Sequence, residues 1–219
     1  MKLYTWWRSQ AAYRVRIALA LKGIQAESIT LDLMQGDQLK GDYVQLNPQG
    51  AVPTLIDGDG PPLTQSLAII EYLNESNPEP PLLPADLHAR AYVRALALIL
   101  AGDAHPFVTP RVRNFLEHEL RVDPSNRLRW MVHWMREGLR AVEAHLTRDS
   151  LAGNFCNGNA PSIADICLVA HITTCKILPQ FDFAAYPKAL AIYEHCMTMD
   201  AFVKTAPCFQ PGAPADATY

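Results

Sequence analysis

The chain has 219 residues, 49% apolar and 19% charged, with a net charge of −3. This length suits one large domain or two small ones with a real core, and the near-neutral balance offers no basic field for nucleic acid. No run is read as approaching a membrane span, and Met1 to Trp7 leads straight into Arg8 without a signal-peptide core, so no membrane partner is expected.

In chain order, Lys2 to Trp6 reads as a short strand. Arg14 to Lys22 carries apolar residues at helical spacing and stops at Gly23, a good C-cap. Ser28 to Leu33 alternates as a second strand, Leu39 to Leu46 is a short helix ending before Asn47-Pro48, and Thr54 to Ile56 is a third strand. After the Gly58, Gly60, Pro61, Pro62 turn comes an edge strand at Pro62-Leu63, then a helix opened by Gln65-Ser66. These elements make a small α/β domain over residues 1–80.

Asn77-Pro78-Glu79-Pro80-Pro81, continued to Pro84, is the clearest linker. An all-helical domain over residues 88–219 follows, with helices expected at Ala89–Ala101, Arg111–Arg121, Asn126–Thr147, Ser162–Leu178 and Pro187–Met199. Ser162-Ile163-Ala164-Asp165 matches a capping box with Asp in the acidic role, so Asp165 is expected to cap a buried helix. The tail after Pro207 is rich in Pro, Gly and Ala and is expected to pack poorly. Five cysteines (156, 167, 175, 196 and 208) form no CxxC and no Cys/His metal spacing. They read as reduced, buried thiols of a cytoplasmic protein, with no metal site.

Some residues carry chemistry by position alone. A strand entered at Pro53 leaves the Val52 N–H and C=O free to pair with a peptide-like ligand. Ser66 at a helix N-terminus, beside the Gln65 amide, offers donors and a positive dipole end to a carboxylate. Together they suggest a grip for a small charged peptide. Ser9, between the first strand and the first helix, reads as a plain N-cap, and its hydroxyl is also suited to hold a bound thiolate. Trp130 and Trp134 stand i, i+4 on one helix beside Met131 and Met135 and read as core packing.

A small βαβαββα domain joined by a Pro-rich linker to a helical one resembles a soluble glutathione transferase, closest to the zeta class, which includes maleylacetoacetate and maleylpyruvate isomerases. Six stretches carry the resemblance in order over nearly the whole chain: Trp7-Arg8-Ser9 running into Arg14 to Gly23, Leu46-Asn47-Pro48, Val52-Pro53-Thr54-Leu55, Gln65 to Leu73, Ser162 to Val169, and Gln210-Pro211. The resemblance implies a thioredoxin-like N-terminal domain and an all-α C-terminal domain, glutathione as cofactor, and a homodimer. It implies Ser9 as the thiol-activating residue, a cis Pro53, Val52 paired with the cysteinyl unit, Gln65 and Ser66 on the γ-glutamyl group, and Gln38 near the glycine carboxylate. Pro106, inside the first long helical stretch of the second domain, is expected to kink it by removing one hydrogen bond, and His105 before it matches a position that reaches glutathione in relatives. It reads equally as a polar residue on a helix face.

Arg8 and Arg111 are the candidates for an acidic, maleyl-type substrate, because planar guanidinium groups pair with carboxylates bidentately. Arg111 reads equally as a solvated charge. The implied activity is cis–trans isomerisation of maleylacetoacetate or maleylpyruvate in aromatic amino acid or aromatic compound breakdown. The chain departs from the pattern at Gln10-Ala11, where the family shows Ser-Cys, and at Lys176, where zeta isomerases carry an Arg. Both departures favour the alternative, a general glutathione transferase (conjugation, dehalogenation or peroxide reduction).

Overall fold

The computed structural model describes residues 1–149, 151–179 and 181–217. Four strands, β1 (Lys2–Thr5), β2 (Glu27–Thr30), β3 (Thr54–Ile56) and β4 (Leu63–Thr64), form one mixed sheet in the order β2-β1-β3-β4. β1 runs parallel to β2 and antiparallel to β3, which is antiparallel to β4. Leu3 sits opposite Leu55 in the register, and both are buried. Helices α1 (Gln10–Leu21) and α3 (Ser66–Ser76) pack side by side and bury Tyr13, Ile17, Ile69, Ile70 and Leu73. This is the expected α/β fold with the expected element order.

Several boundaries differ from the sequence reading, each for a local reason. α1 starts four residues before Arg14, because Ser9 caps it and Ala12 and Tyr13 are buried. β2 stops at Thr30 because the Asp32 carboxylate accepts from the Met34 and Gln35 amides and turns the chain. The helix expected from Leu39 splits into a 3-10 turn, Asp37–Leu39, and α2 (Gly41–Leu46), since Lys40 between them is extended at φ −106° and ψ 149°. The linker is tied down by the Lys22 ammonium, which donates to Asn74 Oδ1 at 3.0 Å, Asn77 O at 2.7 Å and Pro80 O at 2.5 Å. Burial lowers the Lys22 pKa, and the nearby Glu79 charge works against that.

By packing, Met1–Leu82 forms one unit together with Thr198 onwards, and Leu83–Met197 forms a second. The sequence expects the C-terminal segment in the helical domain, whereas α9 (Asp200–Val203) returns to α1. Phe202 is buried there, its carbonyl accepts from the Tyr13 hydroxyl at 2.8 Å, and the Thr205 carbonyl accepts from Arg16 at 3.1 Å. Between Cys208 and Ala217 no residue is buried, and Thr218 and Tyr219 lie outside the described residues.

The second unit contains α4 (Leu87–Leu98), α5 (Pro110–His118), α6 (Pro124–Arg148), α7 (Ile163–Lys176) and α8 (Pro187–Cys196). Asp86 caps α4 and Asp123 caps α6. As expected, Asp165 is fully buried and caps α7: it accepts from the Ser162 amide and hydroxyl at 2.8 and 2.7 Å, and from the Cys156 amide at 2.7 Å. The expectation of no membrane-length run needs correction. Leu87–His118, a run of 32 residues, is long and apolar enough to cross a membrane by length and composition alone. Its middle is not continuous α-helix, and Val93, Leu96, Ala97, Leu100 and Ala104 are buried where it packs on α6 and α7.

That packing needs Gly138 on α6, where a Cβ would lie 2.6 Å from Ala104 Cβ and 3.4 Å from His171 Cε1. Gly138→Ala should therefore destabilise the fold by about 1–3 kcal/mol despite its better helix propensity. Urea unfolding checks this, and a stabilised variant would contradict it.

Candidate active site

Between β1 and α1 the chain turns through Trp6 to Ser9, with the Ser9 amide donating to the Trp6 carbonyl at 3.0 Å. The Ser9 side chain caps α1 by accepting from the Ala12 amide at 3.1 Å. Among the described residues this is its one side-chain hydrogen bond, and it uses a lone pair, so the hydroxyl hydrogen is left to donate. Arg8 is exposed immediately before it. The turn is pinned from α1 by the buried Arg16, which donates to Thr5 Oγ1 at 3.0 Å and to the Trp6 and Trp7 carbonyls at 3.3 and 3.2 Å. Gln10, the first residue of α1, is only 5% exposed, and both polar atoms of its side chain lack a partner among the described residues.

The Val52-Pro53 bond is cis, as the resemblance implies. Neither the amide nor the carbonyl of Val52 has a hydrogen-bond partner among the described residues. Gln65 enters α3 at φ 67° and ψ 115°, a left-handed backbone that costs a non-glycine residue on the order of 1–3 kcal/mol and concentrates at ligand clamps. Its amide donates to Gln49 Oε1 at 2.8 Å. Ser66 is buried in the first turn of α3 and accepts from Arg14 Nε at 2.9 Å, which leaves its own hydrogen to donate. Gln38 lies in the 3-10 turn before α2, its side-chain oxygen buried and without a partner among the described residues. The first unit thus carries Arg8, Ser9, Gln38, Val52, Pro53, Gln65 and Ser66.

The second unit carries His105 and Arg111. The expected break around Pro106 is larger than one kink: a π-helical stretch, Ile99–Ala104, passes into a 3-10 turn, His105–Val108. Pro106 has no N–H to continue the α ladder, and π segments are frequent at functional sites. Arg111 is exposed in the first turn of α5, where a cation opposes the helix dipole. Lys176 ends α7 with its ammonium 4.7 Å from the Tyr193 ring centroid. Trp134 stacks on Phe107 at 4.2 Å and the Trp130 indole donates to the Phe107 carbonyl at 2.9 Å, so both pack as expected. Burial pushes the thiols of Cys156, Cys175 and Cys196 up, which leaves them poor nucleophiles.

Residues 1–75 match the family model described as "Glutathione S-transferase, N-terminal domain". The chain is 40% identical over 213 residues to a probable maleylacetoacetate isomerase of Vibrio cholerae, covering 96% of this chain and 97% of that protein. The crystal structure of a maleylacetoacetate isomerase from Methylobacterium extorquens with bound malonate and GSH is 47% identical, with a TM-score of 0.95 over 98% of this chain and 100% of that one. A holo maleyl pyruvate isomerase, described as a bacterial glutathione S-transferase in Zeta class, is 39% identical with a TM-score of 0.94 over 98% of this chain and 100% of that one. The chain belongs to the zeta class of glutathione transferases.

In this zeta-class transferase the residues that sequence reasoning missed are supports: Arg14 behind Ser66, Arg16 behind the Ser9 turn, and Tyr43 and Asn47 behind Val52. Two arginines set inside the apolar run Arg14 to Leu21 are the one sequence signal that could have found the first two. The cap at Ser9 gives a direct check. Ser9→Ala should lower stability by about 1 kcal/mol, whereas Ser9→Asn, an equally good cap, should lower it by a few tenths at most. Equal losses in urea unfolding would contradict the cap.

Proposed function

We propose that this chain is a glutathione-dependent cis–trans isomerase acting on a maleyl-type dicarboxylic acid such as maleylacetoacetate or maleylpyruvate. The observation that carries this reading is one pinned turn holding a serine hydroxyl at a helix N-terminus and an exposed guanidinium one residue before it. The relative from Methylobacterium extorquens, whose structure holds malonate and GSH, supports a dicarboxylate beside glutathione. The residues present fit the cofactor. The Val52 main chain offers a donor and an acceptor, Ser66 retains a hydrogen, and the buried side-chain amide of Gln10 is left for a polar ligand.

Val52 would hold the cysteinyl unit, Gln65 and Ser66 the γ-glutamyl group, and Gln38 the glycine carboxylate. His105 is the second unit's candidate for a further glutathione contact. When bound, glutathione supplies a thiolate nucleophile whose reversible addition to the substrate double bond permits rotation. Ser9 donates its hydrogen bond to the sulfur, and the α1 N-terminus adds positive potential, so the charged form is favoured. Arg8 binds a substrate carboxylate through its planar fork. In the second unit Arg111 is the candidate carboxylate ligand. A cation in the first turn of a helix is electrostatically disfavoured unless an anion joins it.

A general transferase is the second reading. Lys176 favours it, because that ammonium is engaged with the Tyr193 ring and presents no fork. A cytoplasmic homodimer belongs to the same proposal, and light scattering on the purified chain tests the dimer. Arg111→Ala separates the two activities. It should reduce kcat/KM for a maleyl dicarboxylate by about tenfold or more, and leave conjugation of a neutral electrophile within about twofold. Equal effects on both substrates, or none on either, would contradict the isomerase reading.

A further inference from the structure

In the sequence Asn47-Pro48 reads only as the end of a short helix, with Tyr43 one of its members. In the structure Tyr43, Asn47 and Thr54 close a hydrogen-bonded set around the carbonyl of Ala51. The Tyr43 hydroxyl lies 2.5 Å from Ala51 O and 2.8 Å from Thr54 Oγ1. Asn47 Nδ2 lies 2.7 Å from Ala51 O and 3.1 Å from Thr54 Oγ1. Each hydrogen has one place to go. Tyr43 gives its single hydrogen to the Ala51 carbonyl, so the Thr54 hydroxyl donates to Tyr43 and accepts from Asn47, whose second N–H also goes to Ala51. Asn47 Oδ1 accepts from the Gln49 amide at 3.1 Å, which fixes which way the amide faces.

Tyr43, Asn47 and Thr54 are 6%, 2% and 0% exposed, so water does not compete for these bonds. Burial raises the phenol pKa, with the Thr54 hydrogen bond acting in the other direction. The Tyr43 ring packs in a cluster with Trp6 and Val52, a task that a phenylalanine ring would do as well. The hydroxyl therefore has a separate task. Ala51 and Thr54 are the two residues that flank Val52-Pro53, and the set grips both.

We propose that Tyr43, with Asn47 and Thr54, is a positioning clamp that presents the Val52 N–H and C=O to glutathione in one fixed orientation. The ordering of the loop is thus complete before the ligand arrives, which raises affinity without a contact to it. This inference rests on the reading that Val52 pairs with the cysteinyl unit.

The test uses the full chain and its Tyr43→Phe variant, which loses one oxygen and keeps the ring. The Kd for glutathione should rise about five- to tenfold, as expected when one hydrogen bond to a buried acceptor is removed. In the glutathione complex, where its N–H is paired, the Val52 amide should exchange with solvent faster, and kcat at saturating glutathione should change by less than about twofold. Thr54→Val breaks the clamp from the other flank and should move the same readouts in the same direction. Tyr72→Phe removes a phenolic bond to Asp57 elsewhere in the same unit, at 2.6 Å, and should move neither Kd nor Val52 exchange. Wild-type affinity and exchange in both clamp variants would overturn the proposal, and so would an equal effect from Tyr72→Phe. A Val52 amide whose NMR shift ignores glutathione in the wild-type chain would instead sink the reading of Val52, with the Kd of the two clamp variants against that of Tyr72→Phe still deciding whether the set orders the site.

Discussion

A serine hydroxyl has one hydrogen to give and two lone pairs to accept with, and the first unit is arranged around how Ser9 divides them. Capping α1 uses a lone pair toward the Ala12 amide. The hydrogen is left over, at the positive end of a twelve-residue helix. Structural capping and the proposed thiol activation would therefore use different atoms of one side chain. Ser66 repeats the pattern on α3, accepting from Arg14 and keeping its own hydrogen.

The supports share one origin. α1 carries Arg14 and Arg16 two residues apart, both buried, one reaching across to α3 and the other back to the turn before Ser9 and out to Thr205. Burying a guanidinium is costly unless its donors are met, so these arginines tolerate few alternative arrangements of the loops they hold. That selectivity suits the proposed site, whose ligand groups would be main-chain atoms and short hydroxyls. Such groups cannot adjust their reach, so the loops bearing them have to be held from behind.

The chain order of strands and helices was legible because it rests on local signals: alternation, helical spacing, Gly23 as a stop, and Asp165 three residues after Ser162. The cis bond at Val52-Pro53 follows from the family resemblance, and the opening of α3 at Gln65-Ser66 was legible for the same local reason. What escaped was long-range. Arg16 meets Thr205 across 189 residues and Arg14 meets Ser66 across 52, and no periodicity marks either contact. The return of α9 to α1 was hidden because Asp200–Val203 is a four-residue helix, too short to show a period, and it lies beyond the last helix the spacing marks. The π stretch before His105 was read as a single kink, since sequence reveals the proline but not how the preceding carbonyls are satisfied. Leu87–His118 shows the converse limit: its apolar length matches a membrane span, and only its packing on α6 and α7 identifies part of it as core.

The central claim is that the free hydrogen of Ser9 stabilises a bound thiolate. The most direct measurement is the pKa of glutathione's thiol in the complex, followed by thiolate absorbance against pH for the wild-type chain, Ser9→Ala and Ser9→Asn. The account predicts a pKa well below the roughly 8.5 of an unperturbed thiol in the wild-type complex. In Ser9→Ala it should return toward that value. In Ser9→Asn, although α1 remains capped, it should stay above the wild-type value. A pKa equally depressed in all three would contradict the account and assign the effect to the helix terminus alone.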